Sequence, residues 1–373
     1  MIQLVIAALL SFPFGHAVQM GPRVIDTVPV GLNPTAIAID RVTDRIYVAN
    51  DGPGNSVSII DGKTDNTLKI QDPLARGPRT LAVDERTDKV YVVNNRSGNL
   101  SVIDGLTNSI QDLDDPNAAA PIAIAVDERT DRIFVANDAS ANVTEIDGAT
   151  NRIRTLRDPN ALGPSAVAVD QVTGKVYVAN QTSDNMTVID EATHSLKTVG
   201  PFPNFANPSA VDVDTRTDMV YVADIGTGQI EVVDGATDKF TTITEGAPGS
   251  PIALDVNPFS DHVYFANYST NGGSGSVSVL NGRNNALTTL TDPNASGPYS
   301  VAVDATRNFI YVADANYSLN NISIIDGQTN TLTTLHLPNA KWPFAVAVNP
   351  VTNRIYVANN LSKNVSVIAG PVR

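Results

Sequence analysis

Two aspartates interrupt short apolar runs one repeat length apart, in Val211-Asp212-Val213 and Leu254-Asp255-Val256. Carboxylates in such surroundings, if they meet, can hold a divalent cation. They can also raise one pKa enough to supply a general acid beside an ionised base. A second group of residues suits recognition rather than reaction. Tyr268, Tyr299, Tyr317, Trp342 and Phe344 all fall in the last third of the chain, beside Gly, Ser and Asn. Amphipathic rings next to adaptable polar loops make a surface for a peptide, a glycan or a flat ligand. Arg79 directly follows a proline and is suited to orient a carboxylate or phosphate, although a neighbouring Asp is its plainest partner. The chain has no cysteine, which excludes thiolate catalysis, cysteine-ligated metal and disulfides.

What must position these residues is a repeat. Pro34, Pro78, Pro121, Pro164, Pro208, Pro251, Pro298 and Pro343 each open a Pro-x-Ala-like run that ends in Asp or Asn, and they recur every 43 to 47 residues. A turn, a Tyr-Val-Ala-Asn run, a polar loop, a Val-Ser-Val-Ile-Asp-Gly run and a Thr-rich segment follow. That period fits a blade of four short strands, here called A to D from the inside out, and the β-branched content rejects two-helix repeats. Runs such as Val167-Ala-Val169 alternate large with small because neighbouring blades cover both faces. The eighth repeat stops near Gly370 without a strand D, while residues 23–31 form an orphan strand D ahead of the first repeat. Pairing the two predicts an all-β, eight-bladed propeller whose last blade is closed by the N-terminal strand, with no open sheet edge. Residues 23–373 then form one domain.

The repeat is also a filter for chemistry. Asp40, Asp84 and their counterparts recur in every A–B turn, so they read as backbone-capping turn residues and not as a carboxylate ring. Asn50 and its counterparts read as construction for the same reason. His194 maps to a C–D hairpin, His262 to the start of a strand B and His336 to a strand D, so a histidine triad or metal set is not expected. Asp212 and Asp255 survive the filter, since they replace the small residue represented by Ala38 and Ala82; a polar channel lining explains them without chemistry. Glu145 and Glu231 stand in strand C, read as replacing Ser or Thr there.

Tyr47-Val-Ala-Asn50, Tyr177-Val-Ala-Asn180 and Tyr356-Val-Ala-Asn359, with Val57–Gly62 and Ile322–Gly327, resemble the YVTN-type β-propeller repeats of bacterial and archaeal surface, secreted and periplasmic proteins. The resemblance covers residues 23–373. It implies the propeller fold and leaves function open, because lyases, lactonases, dehydrogenase subunits and binding modules share this architecture. Many such relatives look seven-bladed; the eighth repeat is a departure.

Hydrophobic residues make up 42% and charged residues 17% of the chain, which argues against disorder. The net charge of −14 and the lack of any Lys/Arg run argue against nucleic acid. Residues 2–14 form an uncharged apolar run followed by Gly15, Ala17 and Gly21, which reads as a secretory signal ending near Ala17, although it lacks a basic start and contains Pro13. No other segment is long and apolar enough to span a bilayer. The expectation is an exported, monomeric binding or scaffold module without a cofactor, recognising a protein, peptide or glycan through the D–A and B–C loop face. The alternative is a lyase or hydrolase at the channel mouth using Asp212 and Asp255, with a divalent cation in the channel.

Overall fold

A computed structural model describes residues 21–203, 207–244, 250–268, 275–316 and 318–372. Residues 1–20, on which the signal reading rests, lie outside the described residues, as does Tyr317.

In the first blade, β2 (Pro34–Asp40), β3 (Arg45–Asn50), β4 (Ser56–Asp61) and β5 (Thr67–Gln71) pair antiparallel in chain order. The next six blades repeat this over 78–113, 121–156, 164–199, 208–244, 250–292 and 298–336. The eighth takes β30 (Pro343–Asn349), β31 (Arg354–Asn359) and β32 (Asn364–Ala369) from the C-terminus and β1 (Arg23–Pro29) from the N-terminus. β1 pairs with β32 from Arg23 opposite Ala369 to Pro29 opposite Asn364, so the ring is closed.

Burial follows from the ring. Strand B is covered on both faces, so Ile46 to Asn50 are all buried, whereas strand D faces outward and β5 is mostly exposed. The core is a set of apolar layers between blades. At the closure, Val28, Val365 and Val367 pack on Ile46, Val48 and Ile60 of the first blade. Burying one such side chain contributes about 1.5–3 kcal/mol.

The repeating polar residues are structural. Asp40 Oδ1 accepts the Val42 and Thr43 N–H groups at 2.8 and 2.9 Å, holding the A–B turn. Asn94 and Asn137 donate across to Ser101 and Thr144 of strand C at 2.8 and 2.9 Å.

The joint between blades three and four departs from the others in three places at once. At four other joints the hydroxyl of a strand-B tyrosine (Tyr91, Tyr177, Tyr221 or Tyr264) points at the C–D hairpin glycine of the next blade. A Cβ on Gly235 would lie 2.6 Å from the Tyr177 hydroxyl, and one on Gly282 equally close to Tyr221. The same glycines abut an A–B turn acid, Asp218 or Asp261, of their own blade. In blade four the hairpin residue is Glu191 and the turn residue is Gly174, while blade three supplies Phe134 in place of tyrosine. At this joint the carboxylate stands on the hairpin and not on the turn, and the facing ring carries no hydroxyl. There Glu191 accepts from Thr130 at 3.2 Å, and burial beside Asp127 pushes its pKa up to about 7.

Candidate functional site

Each strand A begins with a bulge. In the first blade Pro34 is opposite Asn50 and Ala36 opposite Ala49, so Thr35 has no partner of its own. The same shift follows Pro78, Pro121, Pro164, Pro208, Pro251, Pro298 and Pro343. Proline has no N–H to give the ladder, and a bulge re-aims the extra residue. The residues so placed are Thr35, Arg79, Ile122, Ser165, Ser209, Ile252, Tyr299 and Phe344.

Three of them join blades. The Thr35, Ser165 and Ser209 hydroxyls each lie between a carbonyl of their own strand B and the proline carbonyl of the next blade, 3.0, 2.7 and 3.2 Å away in turn. The other five lack that hydroxyl. Four of those, Arg79, Ile122, Tyr299 and Phe344, line one cavity of about 350 Å³ together with Thr35, Arg96 and other residues of the first two blades.

The sequence-predicted aromatics divide here. Tyr299 and Phe344 lie 4.3 Å apart with rings tilted by 33°, and Tyr268 meets Tyr299 edge-on at 6.1 Å. Gly297 allows that approach, since even a Cβ there would be only 3.3 Å from the Tyr268 ring. These three rings form one continuous patch, half-buried. Trp342 is half-buried just before the strand-A proline and is not among the cavity-lining residues. Its φ of +60° is the left-handed conformation that the same slot takes at Asn33, Gly77, Ala120, Gly163, Asn207 and Gly297, so it belongs to the repeat.

Arg79 is exposed and forms no ion pair among the described residues, contrary to the simple expectation of an aspartate partner. Its charge opposes the rise that burial imposes on the Tyr299 hydroxyl pKa. Arg96, by contrast, is committed to the Asp51 carboxylate across the blade joint. The mouth therefore combines a free guanidinium, two stacked rings and Ile122. Sequence reasoning passed over Ile122, because a lone isoleucine after a proline looks like core until the bulge turns it outward.

Asp212 and Asp255 lie on adjacent inner strands, β18 (Pro208–Asp214) and β22 (Ser250–Asn257), and are not part of the mouth lining. Their oxygens face backbone. Asp212 accepts from Val213 at 2.8 Å and from Val256 of the next blade at 3.2 Å; Asp255 accepts from Val303 of the blade after that at 2.8 Å. Both are enclosed by protein on nearly every side while keeping a strip of contact with channel solvent. Burial raises Asp212 to about 6 against the pull of its N–H donors. Burial and then the Asp212 charge raise Asp255 to about 8. Both shifts run upward on adjacent inner strands, and each carboxylate is also a strut between blades. Among the described residues no three His, Asp or Glu side chains gather as a metal-ligand set.

The strand-C glutamates need one correction. Glu231 does replace a Ser/Thr; it is fully buried, accepts from Thr242 at 2.6 Å, and burial lifts it to about 7. Glu145 does not, because Thr144 holds that slot and Glu145 occupies the apolar position of Val102. The slip of one residue changes its face. Glu145 pairs with Arg132 and lies 3.0 Å from His194 of blade four. His262 contacts Ser260 and His336 contacts Leu319, so the three described histidines stay apart.

No known family model matches the chain, and no curated protein does. Among solved structures it is similar to hydrazine synthase from Kuenenia stuttgartiensis, with a TM-score of 0.61 over 80% of this chain and 96% of that one. The identity is 16%, so the likeness is one of fold. Among the described residues no helix is long and apolar enough to cross a membrane.

Proposed function

We propose that this propeller is an exported, monomeric binding module of the YVTN-repeat kind, recognising a protein, peptide or glycan at the channel mouth. The observation that carries the reading is the cavity of about 350 Å³ in which the unpaired Arg79 faces Tyr299 and Phe344. Stacked rings supply sequence-tolerant apolar contact, and a lone guanidinium selects ligands bearing a carboxylate or other anion.

Peptide and glycan arrays probed with the intact protein, followed by calorimetry on the hits, test this. Arg79→Gln and Phe344→Ala should each weaken a true ligand by about tenfold or more, given the ~1.4 kcal/mol that tenfold represents. Binding that is indifferent to both substitutions would remove the mouth as the site.

A second reading, a hydrolase or lyase acting within the channel, is favoured by one observation, two acids with raised pKa values on adjacent inner strands. It requires turnover that Asp255→Asn abolishes.

A further inference from the structure

Outside the mouth, the outer strand of blade three carries an unusual sequence. β13 (Arg152–Leu156) reads Arg-Ile-Arg-Thr-Leu and is followed by Arg157. Arginines two apart share one face of a strand. They were invisible as a charge run because Ile153 separates them. Arg152 and Arg154 line a cavity of about 310 Å³ with Arg132, Glu145, Asp147 and Ile153. This places three guanidiniums against two carboxylates, a local reversal of sign on a chain whose net charge is −14.

The two carboxylates are already engaged. Glu145 is buried, pairs with Arg132 and lies 3.0 Å from His194. Asp147 Oδ1 accepts from the Thr150 backbone at 2.9 Å and its hydroxyl at 2.8 Å. Strand register sets Arg154 opposite Glu145 and Arg152 opposite Asp147, yet neither guanidinium forms an ion pair or hydrogen bond among the described residues. Both are exposed and available.

We propose that this cavity is a site for a tetrahedral oxyanion, a phosphate or sulfate group, held by Arg152 and Arg154 with the half-buried Arg132 as the third charge. A carboxylate is satisfied by one guanidinium fork; two free forks in one cavity suit a group that presents three or four oxygens. Arg132 stays anchored by Glu145, which fixes one wall of the site before the anion arrives. The site is independent of the channel mouth.

Calorimetric titration of sodium sulfate and sodium phosphate into the full chain, in a chloride buffer of low ionic strength, tests it. Saturable binding at one site is expected, weakened about tenfold or more by Arg152→Gln/Arg154→Gln. These side chains are exposed, so the variant should fold, and unchanged circular dichroism checks that. Arg79→Gln should leave the anion affinity unchanged, which separates this site from the mouth. A sulfated disaccharide that binds more tightly than sulfate identifies a glycan as the source of the anion; equal affinity identifies the free ion. Absence of saturable binding of either anion overturns the proposal, as does binding that the double substitution leaves intact or that Arg79→Gln abolishes.

Discussion

At the scale of single residues, the buried acids make this protein an exception to ordinary acid behaviour. Asp212, Asp255, Glu191 and Glu231 all have folded pKa values raised above their unfolded range. A raised value means that the stability contributed is full below about pH 4 and is lost as pH climbs through the folded values. Here the loss begins near pH 4 and is complete at about 6 for Asp212 and about 8 for Asp255. Thermal unfolding should therefore show the midpoint falling between pH 5 and pH 8, whereas salt-bridged acids give the opposite slope. Asp255→Asn keeps an acceptor for the Val303 N–H and removes the charge. It should be more stable than the parent at pH 8 by about 1–3 kcal/mol, the lower end being favoured by channel solvent, and indistinguishable from it at pH 4.5. An unchanged slope in that variant would show that Asp255 is ionised without cost. Asp212 and Asp255 were legible from sequence because each breaks an Ala slot. That their oxygens brace the next blade was not, since a period-two pattern gives the face of a side chain and not the backbone group across the joint.

At the scale of the element, the strand-A bulge decides what reaches the mouth. The prolines marked the strand starts, but the register shift after each one had no separate signal. Tyr299, Phe344 and Arg79 could be singled out as unusual types in that slot, whereas Ile122 could not. Glu145 shows the converse. Strand C was recognised, yet counting one place off its Ser/Thr position hid its place among arginines. The joint of blades three and four offers a direct test of how tightly such elements are matched. Phe134→Tyr drives a hydroxyl toward Glu191 and should cost about 1–3 kcal/mol as overpacking and acid–phenol crowding. Adding Glu191→Gly with Gly174→Asp restores the arrangement of the other joints and should recover most of that loss. Denaturant titrations of the single, double and triple variants read out the coupling, and strictly additive costs would refute it.

At the scale of the whole molecule, stability depends on closing the circle with one noncovalent strand, in a chain without cysteine. Val28 is the buried anchor of that strand, 2% exposed among residues of the first and last blades. Val28→Ala should lower stability by about 1.5–3 kcal/mol. Removing residues 1–30 should leave β32 unpaired and give concentration-dependent association in sedimentation experiments. A truncated chain that stayed monomeric at full stability would show that the ring does not need β1. Eight-fold repetition suggests that blades are interchangeable parts, and the altered joint limits this. A copy of blade four placed after the blade that bears Tyr91, Tyr177, Tyr221 or Tyr264 would press Glu191 against a hydroxyl, and a copy of blade three placed before an ordinary blade would lack the hydroxyl that Phe134 does not carry. Blades three and four therefore travel as a pair. Insertion or deletion of a blade by design should therefore be better tolerated at the other joints than at this one.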